Sequence, residues 1–238
     1  MRFSVVVPAF EVQAFIGECL DSILAQFTAL DDYEILIGVD ACPKTMDKLK
    51  EIRGRYILPA LRLFWFPKNS GPYVVRNTLA YQARGEFLIF FDADDVMLPG
   101  LAAWCERNIN HPGVVHFTYW RTWNNCGPKR KLITKGAAGV FGVRRESFLR
   151  VGGFKPWRCA ADAEFHPRAE RVIGRPVISV DPLFEYRKHP GCLTSQPKTA
   201  GNSLLRSRYH AITRREYAAR PFVTRVEPVF SDFEEATA

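Results

Sequence analysis

The first half of the chain alternates apolar strand-like runs with helix-like segments, and this alternation constrains the fold most. The runs are short, rich in β-branched and aromatic residues, and read FSVVVP (3–8), EILIGVD (34–40), LRLFWF (61–66) and FLIFFD (87–92). Helical spacing follows the first three, over Ala14 to Phe27, Lys44 to about Arg55, and Val74 to Ala83. This order predicts a parallel sheet with helices on both faces, whose ligands bind beyond the carboxyl ends of the strands.

The pattern changes after a helix predicted from about Pro99 to Asn110. VVHFTYW and VFGVRR are strand-like and flank a polar GPKRK turn, so a small mixed sheet is expected beside the parallel half. Ala161 to Ile173 predicts a helix, VISV and LFEYRKH predict short strands, and 200 to 220 predicts a basic helix. We therefore expect an α/β domain over 1–199, divided at about residue 97, followed by a C-terminal basic helix and acidic tail over 200–238.

Composition limits the class of protein and the kind of partner. The 238 residues carry 33 Lys and Arg against 25 Asp and Glu, and this net charge of +8 favours an anionic partner. No zinc-finger, RRM or coiled-coil pattern supports nucleic acid. Six scattered cysteines without a CxxC pair predict packed, reduced thiols. Because we find neither a signal-peptide pattern nor a run of about 18 apolar residues, we expect a soluble, cytoplasmic protein.

Three carboxylates end the fourth apolar run, in FLIFFDADDVMLPG (87–100). A D-x-D pair, Asp92 and Asp94, at the mouth of a parallel sheet suits Mg²⁺ or Mn²⁺, which bind oxygen ligands and share their coordination shell with a diphosphate. Asp95 adds a third acid. The structural alternative is a solvated turn or the first turn of a helix, where acids complement the helix dipole. The buried approach strand favours the metal.

The same letters permit a phosphohydrolase of the haloacid-dehalogenase type. In that interpretation Asp92 would be the nucleophile and Asp94 the general acid. That motif belongs on the opening strand, whereas three strand–helix units precede it here. A downstream lysine and a paired acid are also missing, since ISVDP offers only Asp181.

Several motifs together resemble the family 2 glycosyltransferases of GT-A fold, over about residues 3 to 195. The motifs are VVVPAFE, the VD that ends the second strand, N-S-G-P-x-x-x-R-N, A-R-G-E-F-L-I-F-F-D-A-D-D and a later G-G-F. The resemblance implies a Rossmann-like sheet and an inverting transfer of a sugar from a nucleotide-diphosphate donor to a glycan or lipid-linked acceptor, with a divalent metal, Mn²⁺ or Mg²⁺. The second half of the domain would then bind the acceptor.

The resemblance also implies roles for individual residues. Pro8, Ala9 and Glu11 would line the nucleotide pocket, Asp40 would bind the base, Arg76 would face base or diphosphate, Asp92 and Ala93 would approach the ribose, and Asp94, Asp92 and His189 would form the metal site. An acceptor-only carboxylate suits a base N–H, and an arginine fork suits phosphate. Without the resemblance, Asp40 reads equally as a helix-capping acid and Arg76 as a surface residue.

The catalytic base is expected in GGFKPWRCAADAEFHPRAER. The family's usual Glu-Asp pair aligns with Ala161 and Asp162, so Asp162 is the expected base, and Glu164 is a weaker substitute. As a structural alternative, Asp162 is a first-turn acid of a helix. Two departures from the family pattern are Ala161 and the VDACPKT segment, where Ala41 and its neighbours replace a second acid and a Gly-Ser.

Two further expectations concern function and the C-terminus. The main hypothesis is a metal-dependent glycosyltransferase that builds a surface or secreted glycan, and a degenerate module that binds nucleotide-sugar without turnover is the non-enzyme alternative. In LLRSRYHAITRREYAAR (204–220), Leu205, Tyr209 and Ile212 recur at helical spacing among arginines. Such a helix either contacts an anionic membrane face peripherally or packs these apolar residues onto the domain.

Overall fold

A computed structural model describes residues 1–27, 33–55, 60–123, 130–136, 139–219 and 223–236, and these residues form ten strands and seven helices. The strands are β1 Phe3–Ala9, β2 Tyr33–Asp40, β3 Leu61–Phe66, β4 Phe87–Phe90, β5 Val96–Met97, β6 Val115–Trp123, β7 Arg130–Ile133, β8 Phe141–Arg144, β9 Val177–Lys188 and β10 Glu234–Ala236. The helices are α1 Ile16–Leu24, α2 Pro43–Arg55, α3 Pro72–Gln82, α4 Leu101–Arg107, α5 Arg145–Val151, α6 Ala161–Ile173 and α7 Leu204–Ala218.

The strands form one mixed sheet in the order β10-β3-β2-β1-β4-β8-β6-β9-β5, with β7 paired to β6. The segment β3-β2-β1-β4 is parallel, and Val5 of β1 lies between Ile35 of β2 and Ile89 of β4. From β4 onward β8 and β6 pair antiparallel, and β9 runs parallel to β6. The expected mixed strands therefore extend the central sheet on one side.

Alternation along the parallel strands divides the core between the two faces of the sheet. Val5 and Val7 pack with α1, α2 and α4 on one face, whereas Val6 packs with α3, α5 and α6 on the other. Both faces are covered, so each strand is apolar at nearly every position, and β2 is buried throughout. This covering confirms the expected α/β class. It leaves the loops at the carboxyl ends of the strands to carry polar groups.

Element boundaries agree closely with the prediction in some places and less closely in others. Helix α6 has the predicted bounds, and α3 begins two residues earlier than predicted. The two short strands expected after α6 form the single strand β9. The first three residues of the GPKRK turn lie outside the described residues, as does Cys126. The other five cysteines are free and buried, as expected, namely Cys19, Cys42, Cys105, Cys159 and Cys192.

The C-terminal segment contacts the domain at several places, of which β10 and α7 are two. Strand β10 pairs antiparallel with β3 and places Glu235 beside Arg62, whose guanidinium binds it at 2.7 Å. Helix α7 lies against α6, and its Tyr209 stacks on Trp157 with ring centroids 4.4 Å apart. Every helix among the described residues is too short or too polar to cross a bilayer.

Candidate functional site

The predicted site residues gather beyond the carboxyl ends of β1, β2 and β4. Ala9 ends β1, Asp40 ends β2, and Asp92 follows β4 by two residues. Among the described residues, three that are not glycine have a left-handed backbone, Glu11 (φ 55°), Ala41 (φ 54°) and Ala160 (φ 61°). Two of them follow β1 and β2, and the third precedes α6. Such conformations cost free energy and cluster at functional sites, so these three loops are candidates for a functional site.

Buried Arg76 and half-buried Asp92 form an ion pair beyond the carboxyl end of β4. Arg76 lies on α3 with only 3% of its surface exposed, and its guanidinium donates to Asp92 Oδ1. Burial raises the pKa of Asp92; the Arg76 charge opposes this shift, and the charges of Asp94 and Asp162 add to it. Arg76 is therefore not the surface residue that its helical position alone allows. A Cβ on Gly139 would lie 3.3 Å from both partners, so the chain passes close to the pair.

Asp94, His189 and Cys192 form a compact group of metal-ligating side chains. Asp94 Oδ2 accepts a hydrogen bond from His189 Nε2 at 2.9 Å and lies 3.8 Å from Cys192 Sγ. The candidate ligand atoms of these three residues lie within 4.8 Å of one another, and those of Asp92, Asp94 and Asp95 form a second such group. Oxygen, nitrogen and sulfur donors at this spacing fit a divalent cation.

Asp95 links the acidic loop that follows β4 to strand β9. Its side chain is fully buried, and its Oδ1 accepts the backbone N–H of Arg187 at 3.0 Å. The Arg187 guanidinium in turn donates to the backbone oxygen of Asp94 and to Glu18. Burial, with the neighbouring charges of Asp94 and Asp92, raises the pKa of Asp95 well above its ordinary value. Asp95 therefore ties β9 to the acidic loop and thereby brings His189 toward Asp94.

Asp40 is engaged with the loop before α3. Its Oδ1 accepts the Ser70 N–H at 2.7 Å and its Oδ2 accepts the Gly71 N–H at 2.8 Å, and burial nevertheless raises its pKa. Gly71 has φ 87° and precedes Pro72 at the start of α3, so the carboxylate fixes a turn that favours glycine. Asp40 therefore has a structural role in this loop without capping α3, and base recognition stays a prediction.

The nucleotide-pocket residues differ in exposure. Ala9 and Ala93 are buried, Pro8 is half-buried and Glu11 is exposed. Arg158 is also exposed on this side: its guanidinium donates to the backbone and side-chain oxygens of Asn69, and its charge acts on Asp40. Pro8, Ala9 and Glu11 thus line the end of β1, and Arg158 adds a cation beside Asp40.

Asp162 lies in the first turn of α6, beside the pair formed by Arg76 and Asp92. Its charge raises the pKa of Asp92 and, after the larger effect of burial, that of Tyr73, so Asp162 lies near both groups. Its Oδ1 accepts the N–H of Ala163 at 2.8 Å. The structure thus brings the predicted base to the predicted donor site.

Glu164 has a different environment. Both of its oxygens accept hydrogen bonds from Arg168 at 2.8 Å, and the Arg168 guanidinium also donates to the backbone oxygens of Val151 and Gly153. The side chains are 6% and 1% exposed. This bidentate buried pair ties α6 to the end of α5. Of the two acids, Asp162 is the one that lies near Asp92.

Sequence reasoning missed three residues of this region. Tyr73 is a variable position of the N-S-G-P-x-x-x-R-N motif, just before the predicted helix, and Arg158 lies between predicted elements, so neither carries a signal of its own. Cys192 had a usable signal, because H-P-G-C places proline and glycine between two metal-ligating residues, a composition typical of a tight turn.

The chain is similar to known glycosyltransferases. It is 28% identical over 237 residues to the uncharacterized glycosyltransferase EpsJ of Bacillus subtilis (strain 168). The alignment covers 87% of this chain and 67% of EpsJ. It is 33% identical over 97 residues to the poly(ribitol-phosphate) beta-N-acetylglucosaminyltransferase TarS of Staphylococcus aureus (strain Mu50 / ATCC 700699). That alignment covers 40% of this chain and 16% of TarS. The chain therefore spans two thirds of EpsJ and a small part of TarS.

Solved structures share the fold. The crystal structure of S. aureus TarS 1–349 in complex with UDP matches with a TM-score of 0.65 and 22% identity, over 80% of this chain and 61% of that one. The mannosyltransferase PcManGT of Pyrobaculum calidifontis, in complex with GDP-Man and Mn²⁺, matches with a TM-score of 0.66 and 20% identity, over 78% and 56%. The sequence profile of Glycosyl transferase family 2 matches residues 4–160. The chain belongs to glycosyl transferase family 2, a family of transferase enzymes with the GT-A fold.

Proposed function

We propose that this glycosyltransferase moves a sugar, with inversion, from a nucleotide-diphosphate donor to a hydroxyl of a glycan or lipid-linked acceptor, and that it uses Mn²⁺ or Mg²⁺. One observation carries the proposal: candidate metal ligands, a buried arginine and a half-buried acid converge at the carboxyl edge of one parallel sheet. These groups are Asp94 with His189, Arg76 with Asp92, and Asp162. This edge is where open α/β sheets bind ligands.

The donor site would lie between the ends of β1, β2 and β4. Pro8, Ala9 and Glu11 would line the nucleotide, and Asp92 with Ala93 would approach its ribose. Arg76 would supply positive charge toward the diphosphate, and its ion pair with Asp92 holds the guanidinium in place before the donor arrives. The related structures hold UDP, UDP-GlcNAc and GDP-Man, so nucleotide-sugars are the class of donor to test.

Asp94 and His189 would hold the cation, with Asp92 beside them. A bound divalent cation supplies positive charge that stabilises the leaving diphosphate. The hydrogen bond between Asp94 and His189 orients both side chains toward one point. The His189 ring also packs on Phe15 at 4.4 Å between centroids, which limits its rotation.

Asp162 would act as general base. In an inverting transfer the acceptor oxygen attacks the anomeric carbon from the face opposite the leaving group, and one carboxylate takes the hydroxyl proton. The hydrogen bond from the Ala163 N–H holds the Asp162 carboxylate, and Tyr73 lies near it. Since Tyr73 also lies under the Arg76 guanidinium at 5.6 Å, donor-side and acceptor-side groups share one rigid element, α3.

The acceptor surface would include α7, which lies against α6. Tyr209 faces Trp157, and Leu205 and Ile212 are half-buried, so the apolar stripe of α7 packs toward the protein. Arg208, Arg214 and Arg215 are exposed. A basic face of this kind would attract an anionic acceptor or the anionic surface of a membrane that carries a lipid-linked one.

The two alternatives have less support. A phosphohydrolase would need its D-x-D motif on the opening strand, whereas Asp92 and Asp94 follow β4, and the family match covers this segment. A binding module without turnover would not need an acid beside the donor site, yet Asp162 lies there.

Nucleotide release separates these functions. Purified protein with Mn²⁺ is incubated with each of a panel of UDP- and GDP-sugars, with and without acceptor glycans or lipid-linked acceptors. We expect nucleotide release that requires a sugar donor and rises with acceptor, and that is lost in Asp162→Asn but kept in Asp181→Asn, an exposed acid on β9. Release of inorganic phosphate from simple phosphate esters would support the phosphohydrolase, and tight donor binding without release under all conditions would support the module.

A further inference from the structure

Cys192 lies with Asp94 and His189 in one group of potential metal ligands. We propose that the Cys192 thiolate is a third protein ligand of the cation, so that the site prefers a thiophilic ion such as Zn²⁺ or Co²⁺ to Mg²⁺. This inference rests on the proposed metal site at Asp94 and names a ligand that neither the D-x-D motif nor the family resemblance supplies.

The distances fit such a site. Cys192 Sγ lies 3.8 Å from Asp94 Oδ2, and His189 Nε2 lies 2.9 Å from the same oxygen. In a tetrahedral site with metal–ligand bonds of about 2.0–2.3 Å, neighbouring ligand atoms are separated by about 3.3–3.6 Å. The sulfur is therefore already near its required position, and the imidazole needs to move about half an ångström to exchange its hydrogen bond for a metal bond.

A tight turn creates the arrangement. In His189-Pro190-Gly191-Cys192, the N–H of Cys192 donates to the carbonyl oxygen of His189 at 3.1 Å, which closes the turn and places both side chains on the same side. The N–H of His189 donates to Cys192 Sγ at 3.3 Å. A backbone donor to sulfur stabilises a ligating thiolate, as outer-shell hydrogen bonds do in metal sites generally.

The turn is held against the acidic loop from two directions. Cys192 is only 5% exposed, and the Phe15 ring of the β1–α1 connection packs on the imidazole of His189. Arg187, two residues before the turn, anchors the loop through Asp95 and Asp94. The three ligands are thus positioned by packing before any cation binds, and a fourth position stays available for a diphosphate oxygen.

The structural alternative is a packed thiol. Cys192 Sγ also lies 3.3 Å from the carbonyl oxygen of Arg187, to which a neutral thiol would donate. The two roles differ in chemistry: a thiolate ligand raises affinity for Zn²⁺ and Co²⁺ and does little for Mg²⁺, which binds oxygen. A packed thiol would leave the order of metal affinities unchanged when it is replaced.

Cobalt absorption tests the proposal without a turnover assay. The metal-free, reduced 238-residue protein is titrated with Co²⁺ in the absence of nucleotide, and the near-ultraviolet band of thiolate-to-cobalt charge transfer is recorded. We expect the band in the wild type and in Cys42→Ser, whose thiol is 6% exposed, and its loss in Cys192→Ser. Calorimetry should give Cys192→Ser a Zn²⁺ affinity at least about tenfold weaker, with Mg²⁺ affinity unchanged.

The outcomes distinguish this inference from the proposed function. Co²⁺ binding that requires Asp94 but produces no charge-transfer band in the wild type overturns the role of Cys192 and leaves a metal site of oxygen and nitrogen ligands. A band that persists in Cys192→Ser overturns it as well. No binding of any divalent cation overturns both the thiolate ligand and the proposed metal dependence. The absence of the band in the wild type overturns the role of Cys192 even if Cys192→Ser fails to fold, and in that case Cys192→Ala takes the place of the serine variant.

Discussion

His189 Nε2 lies 2.9 Å from Asp94 Oδ2, so two residues 95 positions apart share one site. Asp94 belongs to the loop after β4 in the parallel half, and His189 follows β9, which reaches this edge through its pairing with β6. The contact therefore depends on both halves of the sheet being folded. Metal binding at this point would couple the stability of the two halves to the donor site.

Asp162→Asn tests the assignment of the base. The amide keeps the shape of the side chain but cannot take a proton, so we expect the rate of transfer to fall by roughly 10²-fold or more. Donor affinity should be unchanged, because the role is in proton transfer. Initial-rate kinetics with varied donor and acceptor separate kcat from binding. Retention of wild-type kcat would exclude Asp162 as the base.

Glu164→Gln should affect stability first. Removing the charge of one partner from the buried pair with Arg168 leaves an uncompensated guanidinium, and breaking such pairs costs about 3–5 kcal/mol. Denaturant unfolding measures the change in the free energy of unfolding, with exposed Glu170→Gln on the same helix as control. If Glu164→Gln is as stable as the wild type yet inactive, Glu164 is the catalytic base.

His116 predicts a dependence of stability on pH. Burial, with the neighbouring His166, lowers its pKa from 6.5 to about 3. Between pH 3 and 6.5 the unfolded chain therefore binds a proton at His116 that the folded chain does not bind. The free energy of unfolding is unaffected by this proton above pH 6.5 and falls as the pH drops toward 3. One proton gives a slope of up to about 1.4 kcal/mol per pH unit.

Replacing the ring isolates this contribution. His116→Phe keeps an aromatic side chain beside Phe141 and removes the titrating group. Unfolding free energies measured from pH 7 to pH 4 should fall less steeply in this variant than in the wild type, while His210→Phe on α7 should keep the wild-type slope. Equal slopes in His116→Phe and the wild type would mean that other groups cause the acid sensitivity.

The exposed arginines of α7 predict binding to anionic vesicles. Attraction is worth about 1 kcal/mol per basic residue near the surface, so replacing Arg208, Arg214 and Arg215 by glutamate should weaken binding by roughly 10²-fold or more. Co-sedimentation with anionic and with neutral vesicles measures the effect.

The same charge change on α2 serves as control, with Lys44, Lys48 and Lys50 replaced by glutamate. We expect this variant to bind more tightly than the α7 variant. Binding that ignores the anionic lipid content, or that survives deletion of residues 203–220 in a folded protein, would exclude the membrane role of α7. Arg220, the last basic residue of the predicted helix, lies outside the described residues.

Local pattern was sufficient to predict most of the parallel half of the fold. The β-branched runs became β1 to β4, and apolar spacing set the bounds of α6. Strand β10 was not predictable, because three residues, two of them glutamates, carry no strand pattern and their pairing with β3 joins distant parts of the chain. Contacts of that kind depend on the folded surface and leave no local signal.

The candidate site, like the fold, was predictable from the sequence only in part. The D-x-D motif predicted a role for Asp92 and Asp94, the family resemblance implied one for Asp162, and the structure brings Asp94 and Asp162 close to Asp92. The sequence could not predict that Tyr73 lies near Asp162, because Tyr73 occupies a variable position of the N-S-G-P-x-x-x-R-N motif. Nor could it separate Asp162 from Glu164, because both lie in one helical turn and only the position of Arg168 distinguishes them.

Metal-dependent binding of a nucleotide-sugar tests the central claim most directly. The melting temperature of the protein is measured with a panel of UDP- and GDP-sugars, in Mn²⁺ and in excess chelator, for the wild type, Asp94→Ala and the exposed-acid control Asp181→Ala. We predict that at least one nucleotide-sugar stabilises the wild type and the control in Mn²⁺ only, since a ligand of the native state raises stability by mass action, and that Asp94→Ala loses this response while keeping its own fold. Equal stabilisation of Asp94→Ala and the wild type, or stabilisation that persists in chelator, would contradict the account.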